Sequence, residues 1–136
     1  MTTNRQIIIA ELPKGRLESA CFRLVESEAP APGPGEVLVR TKIVSLDAAN
    51  RAWMQGATYR AALGPGQVMA GGALAEVAAS NAAGFAEGDL VFADAGWQDY
   101  AVLPAGALTR TPALGPETHL LSVYGVAGLT AFFGLL

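Results

Sequence analysis

The sequence predicts a mainly β domain, and three observations carry that prediction. Glu36 to Val44 reads as one long strand, because Val37, Val39 and Thr41 alternate with Leu38, Arg40 and Lys42 at the period of two that buries one face. The 16 Gly and 8 Pro cut the chain into short pieces, which suits many turns rather than a bundle of long helices. Before Pro112 only Asp47 to Met54 has a composition suited to a helix.

Taken in order, Arg5 to Leu12 and Phe22 to Glu28 are short β-type runs with a turn signal at Pro13, Lys14 and Gly15, so a hairpin or meander is expected. Ala29 to Gly35 alternates Pro and Gly, which fix and free φ in turn, and neither strand nor helix continues through it. Asp47 is placed to cap the free N–H groups of the short helix that follows, and a loop runs from Tyr59 to Gly66. Gln67 to Asn81 reads as a strand in which Gly71 and Gly72 mark a bulge or sharp bend, as closing a barrel requires. Gly84 to Asp89 is a turn, Leu90 to Ala93 and Gln98 to Leu103 are strands, and Pro104 to Gly106 ends the last of them. Pro112 to Pro116 is a rigid connector before two helical segments, Glu117 to Leu121 and Tyr124 to Leu136.

A chain of 136 residues that is 51% hydrophobic and 15% charged is large enough to bury one core and is not a disordered tail. Its net charge of −3, with nine basic residues scattered along it, leaves no footprint for phosphate backbones or anionic lipid, so nucleic acid is not an expected partner. Cys21 is the only cysteine, which rules out an intramolecular disulfide or a cysteine-cluster metal site and suits a reducing, cytoplasmic compartment. It reads as a small semi-buried apolar residue rather than a reactive thiol. The run Ile7 to Ala10 is too brief for a signal peptide. Leu120 to Leu136 is nearly all apolar but short for a bilayer, and no basic anchor follows it, so a helix meant for burial is preferred to a membrane segment.

Four stretches, SLDAANRAWM, GQVMAGGALAEVAASNAAGFAEGDLV, WQDYAVLP and GVAGLTAFFGLL, together resemble the N-terminal half of the medium-chain dehydrogenase/reductase superfamily. The nearest subgroup is that of the prostaglandin, leukotriene and curcumin reductases, which typically carries D-P-x-M-R-G-x-M where this chain has residues 47–54. Asp47, Arg51 and Met54 agree with it, whereas Ala48, Asn50 and Ala52 depart. The resemblance implies a GroES-like, distorted β-barrel over residues 1–122, with residues 123–136 starting a helix that leads into a Rossmann domain for NADP. A glycine-rich turn of the kind that holds a pyrophosphate at a helix N-terminus does not occur in this sequence. The chain alone is therefore expected to bind nicotinamide cofactors poorly and to be inactive.

Zinc-dependent relatives place a Cys just after the long strand and a His in a Gly-His-Glu segment. Here Asp47 stands near the first place and Met69, Ala70 and Gly71 occupy the second, while the only His, His119, lies before the last helix as a surface or connector residue. One Cys and one His far apart do not make a tetrahedral site, so no metal is expected.

The activity that the resemblance implies is reduction of the C=C bond of α,β-unsaturated ketones or aldehydes by a zinc-independent, NADP-dependent enzyme. Hydride delivery to the β-carbon leaves negative charge on the carbonyl oxygen, and a hydrogen-bond donor there is the economical catalyst. Tyr59 resembles the tyrosine that contacts the substrate carbonyl in prostaglandin reductases, its alternative being an ordinary surface-loop tyrosine. Thr130, with Val126 and Gly128 beside it, resembles the threonine whose neighbourhood touches the nicotinamide. Its alternative is a hydroxyl bonded to a preceding helical carbonyl. Arg51 and Trp53 read as support for the substrate loop, Arg51 through an ion pair or by facing the cleft. Trp53, Trp97, Tyr100 and Tyr124 are core or cleft-wall aromatics. Two rival readings stand beside the enone reductase. One is a quinone reductase from a sister branch; the other is a free-standing GroES-like binding or assembly module whose final helix is an association surface for a homo-oligomer.

Overall fold

A computed structural model describes all 136 residues and is mainly β. Its strands are β1 (Thr3–Ile9), β2 (Phe22–Glu28), β3 (Glu36–Val44), β4 (Ala73–Ser80), β5 (Leu90–Ala93), β6 (Tyr100–Pro104) and β7 (Thr109–Arg110). Three α-helices accompany them, α1 (Ala48–Trp53), α2 (Thr118–Leu121) and α3 (Val126–Gly134).

β1 and β2 pair antiparallel from Thr3 opposite Glu28 to Ile9 opposite Phe22, giving the expected hairpin. β1 stops at Ile9 rather than Leu12 because its partner begins only at Phe22. Beyond it the Ala10 N–H donates to the Cys21 carbonyl at 2.8 Å, which closes the long connection between them. The remaining strands form one sheet in the order β6-β3-β4-β5-β7, each neighbour antiparallel. β3 has the expected bounds, with Val37 and Val39 fully buried.

The expected barrel does not close. β6 and β7 end the larger sheet without meeting. The backbone of β1 reaches that sheet only through loop segments, with Met69 N–H donating to the Ile7 carbonyl at 2.8 Å and Ile7 N–H to the Trp97 carbonyl at 2.8 Å. The stretch read as a strand from Gln67 accordingly divides in two. Residues 66–69 run along β1, β4 begins at Ala73 in the other sheet, and Gly71 and Gly72 are the corner between them. The bulges lie instead in β3, where the register against β4 shifts at Leu38/Val39 and at Thr41/Ile43. What demands glycine at the corner is close packing of rings. A Cβ on Gly71 would lie 2.8 Å from Trp97 Nε1, and one on Gly72 would lie 2.8 Å from Phe92 Cζ.

A paired charge helps to hold β1 in place. Arg5 donates to Asp99 from Nε at 2.7 Å and from Nη2 at 3.1 Å, and these bonds hold the Asp99 carboxyl below the usual aspartate range. Because folding lowers this pKa, the pair's contribution is complete above about pH 3.9, the ordinary aspartate value, and disappears as pH falls through the lowered folded value. Asp99→Asn is therefore expected to lose stability near neutral pH but to show a shallower decline in acid. Melting curves across the acid range check this.

Burial divides into two clusters rather than the single core expected. The larger lies against β3, β4 and β5 and is rich in small residues such as Ala73, Ala75 and Ala93. The smaller, Ile9, Cys21, Trp53, Met54 and Met69, lies beneath α1, and Cys21 is only 4% exposed within it. The helix expected to be buried is not. α3 has no buried residue, and Phe132 and Phe133 are exposed. Its nine residues rise about 13 Å at 1.5 Å each, and no helix of the chain is long and apolar enough to cross a membrane.

Candidate active site

The site is built outward from α1. Asp47 begins the helix in extended conformation, and its Oδ1 accepts the Ala49 N–H at 2.6 Å. Asn50 returns the favour three residues on, its Oδ1 accepting the Asp47 N–H at 2.7 Å. The same side chain donates from Nδ2 to the Ala70 carbonyl at 3.0 Å, tying α1 to the corner before β4. Sequence reading passed over Asn50 as a functional element, although its three-residue spacing from Asp47 is the signal of a reciprocal cap. Asp47→Ala is expected to lower stability by about 1 kcal/mol, as loss of a helix cap does, and urea unfolding measures it.

Trp53 ends α1 inside the smaller core cluster at 6% exposure, and its carbonyl accepts the Leu63 N–H at 2.8 Å. That bond closes the base of the loop that carries Tyr59. Tyr59 itself is 83% exposed and stands edge-on to the Trp53 ring, with centroids 6.0 Å apart and planes at 88°. No protein group hydrogen-bonds to its hydroxyl, so the phenol is free to donate outward. Arg60 lays its guanidinium over the same indole, 4.4 Å from the ring centroid, and pairs with Asp94 just beyond β5.

Trp53 stands against Tyr59, whereas Arg51 reaches away to a carbonyl and makes no ion pair. Its Nη2 donates to the Gly15 carbonyl, which fastens the long β1–β2 connection to α1. Trp97 is half-buried, 5.4 Å from Phe22 between ring centroids and packed over Gly71. His119 lies in α2 against Tyr124, at 6.2 Å between rings, and takes no part in this cluster.

The residues expected to touch a nicotinamide sit apart on α3. Thr130 Oγ1 donates to the Val126 carbonyl one turn earlier at 2.8 Å, so its single donor proton is engaged within the helix. Gly128 is explained locally, since a Cβ there would lie 1.7 Å from the Val123 carbonyl oxygen. Val126 is exposed. No hydrogen bond or ring contact joins this group to Tyr59 or Trp53. Thr130 carries the one polar side chain of α3, so the helix offers a dinucleotide little else besides its own backbone. No three of the His, Cys, Asp and Glu side chains cluster as metal ligands would.

This open, mainly β architecture is the GroES-like kind of N-terminal domain. Over residues 5–111 the chain matches the family described as the N-terminal domain of oxidoreductase, and it belongs to that family. It is 36% identical over 138 residues to the NADPH-dependent curcumin reductase of Escherichia coli, a match covering 98% of this chain and 39% of that protein. It is 34% identical over 119 residues to mouse prostaglandin reductase 1, covering 85% of this chain and 34% of the relative. The crystal structure of CurA from Vibrio vulnificus superposes with a TM-score of 0.88 at 39% identity, over 98% of this chain and 40% of that one. The chain thus spans about two fifths of the length of the relatives it matches over nearly its whole extent.

Proposed function

We propose that residues 1–122 form the substrate-side domain of an NADP-dependent oxidoreductase that reduces the C=C bond of α,β-unsaturated ketones or aldehydes, with residues 123–136 leading toward its cofactor-binding part. The observation that carries this reading is the free, outward phenol of Tyr59 on a loop anchored to a buried tryptophan. The relatives support it, since those it resembles are named as NADPH-dependent curcumin reductase and prostaglandin reductase. Hydride is the cofactor's contribution, and no residue of this chain is assigned to hold it.

What this chain supplies is the other half of the chemistry. Charge that builds on the substrate oxygen needs a donor already in place, and a phenol O–H held at a fixed point provides one without reorganisation. Trp53 cannot shift without opening the smaller core cluster, so it fixes the height of the Tyr59 ring above the domain. Trp97 and the half-buried surface around Gly71 give an apolar wall suited to the carbon skeleton of an enone.

The full-length gene product, given NADPH and a simple acyclic enone, is expected to consume both in equal amounts and to yield the saturated ketone. Oxidation of NADPH by quinones, with the enone left intact, would assign the domain to quinone reduction instead. No consumption with either class would remove the oxidoreductase reading of this site.

A further inference from the structure

We propose that Arg60 is a positioning residue for Tyr59, locking the loop that bears the phenol by bridging the buried face of Trp53 to Asp94. This rests on the assignment of Tyr59 made above. The loop between α1 and Gly64 is held at its base by the Leu63 to Trp53 backbone bond, and within it the Thr58 N–H donates to the Arg60 carbonyl at 2.9 Å. That internal turn puts Tyr59 at the tip. A mostly exposed tyrosine whose hydroxyl touches no protein group has only its ring edge on Trp53 to define its position. A single edge contact leaves the ring free to swing.

Arg60 removes that freedom. Its guanidinium covers the face of the indole whose neighbour Tyr59 meets edge-on, so adjacent residues grip one immobile ring from two directions. The ion pair with Asp94 ties the grip to the sheet, 34 residues further along the chain. The side chain of Arg60 is 28% exposed and that of Asp94 is 50% exposed, so the arginine is the more deeply seated partner. Only arginine suits this place, because a planar guanidinium stacks on a ring and donates to a carboxylate at its edge together, whereas a lysine ammonium does one or the other. An arginine in this place thus transmits the rigidity of the core to a phenol outside it.

Two measurements test this. Trypsin cleaves after Arg60 only when that side chain leaves both Trp53 and Asp94, so in the 136-residue chain Asp94→Asn is expected to speed this cut about fivefold while cleavage after the exposed Lys14 stays unchanged. An unchanged rate at Arg60 would show that there is no lock. In the full-length gene product, Arg60→Gln is expected to lower kcat about fivefold with KM nearly constant, as misplacement of a catalytic donor does, and to cause no further loss in a Tyr59→Phe background. A loss that persists undiminished beside Tyr59→Phe would mean that Arg60 acts on the fold at large and would overturn the proposal. Full activity in Tyr59→Phe would end both the catalytic assignment and the positioning role. A kcat that falls in Tyr59→Phe but not in Arg60→Gln would end the positioning role alone.

Discussion

Asn4→Ala is expected to lower the stability of this domain by about 3 kcal/mol, because two backbone groups of Tyr100 lose their partners at once. Asn4 is 1% exposed, its Nδ2 donates to the Tyr100 carbonyl at 3.0 Å, and its Oδ1 accepts the Tyr100 N–H at 2.9 Å. One amide side chain thus does between β1 and β6 what a ladder does elsewhere. Each orphaned buried group costs about 1–3 kcal/mol, and alanine is too short to replace either bond. In urea the midpoint should fall with the slope unchanged, since the surface exposed on unfolding is nearly the same. Asn4→Asp should not rescue it, because a carboxylate keeps the acceptor, lacks the donor and buries a charge. A midpoint unmoved in Asn4→Ala would mean that the two sheets are not stitched here.

Tyr59→Phe should lower kcat of the full-length gene product on an enone about 10²-fold, the size of effect seen when one donor to a developing oxyanion is removed. The loss belongs in kcat because the hydrogen bond strengthens as charge grows on the oxygen, while substrate binding gains little from it. Phenylalanine keeps the edge contact with Trp53, so the loop and the melting temperature should hold. Steady-state kinetics with NADPH saturating would reveal it. Unaltered turnover would leave Tyr59 as an ordinary tyrosine of a surface loop.

Much of the sheet was readable from local pattern. β2, β3 and β5 fell where alternation and apolar runs put them, and Asp47 capped α1 as its position implied. What escaped depends on partners far away in sequence. β7 is two residues long and carries no periodicity of its own, and it exists because β5 offers it an edge. Asn4 lies in a polar N-terminal stretch that reads as surface, and its burial follows from Tyr100, 96 positions later. Openness of the barrel was equally invisible, since it turns on segments 66–69 and 97–99 making only isolated bridges to β1. Of the site, Tyr59 came from family resemblance and Trp53 from its aromatic character, but the Arg60 bridge did not. An arginine in a loop carries no local mark of the carboxylate it will find. On α3 the visible contacts are local: the hydroxyl of Thr130 donates one turn back, and the glycine at 128 leaves room for the Val123 carbonyl.

Trp53 belongs to the interior by its contacts and to the surface by what rests on it. Ile9 and Met69, both fully buried, share its cluster without ever meeting solvent. On the role proposed for Tyr59, trimming either would let the indole tilt and re-aim the phenol above it with its own chemistry intact. Selection for altered substrate range therefore has targets in the foundations of this domain as well as along its rim, and a library confined to visible cleft residues would overlook them.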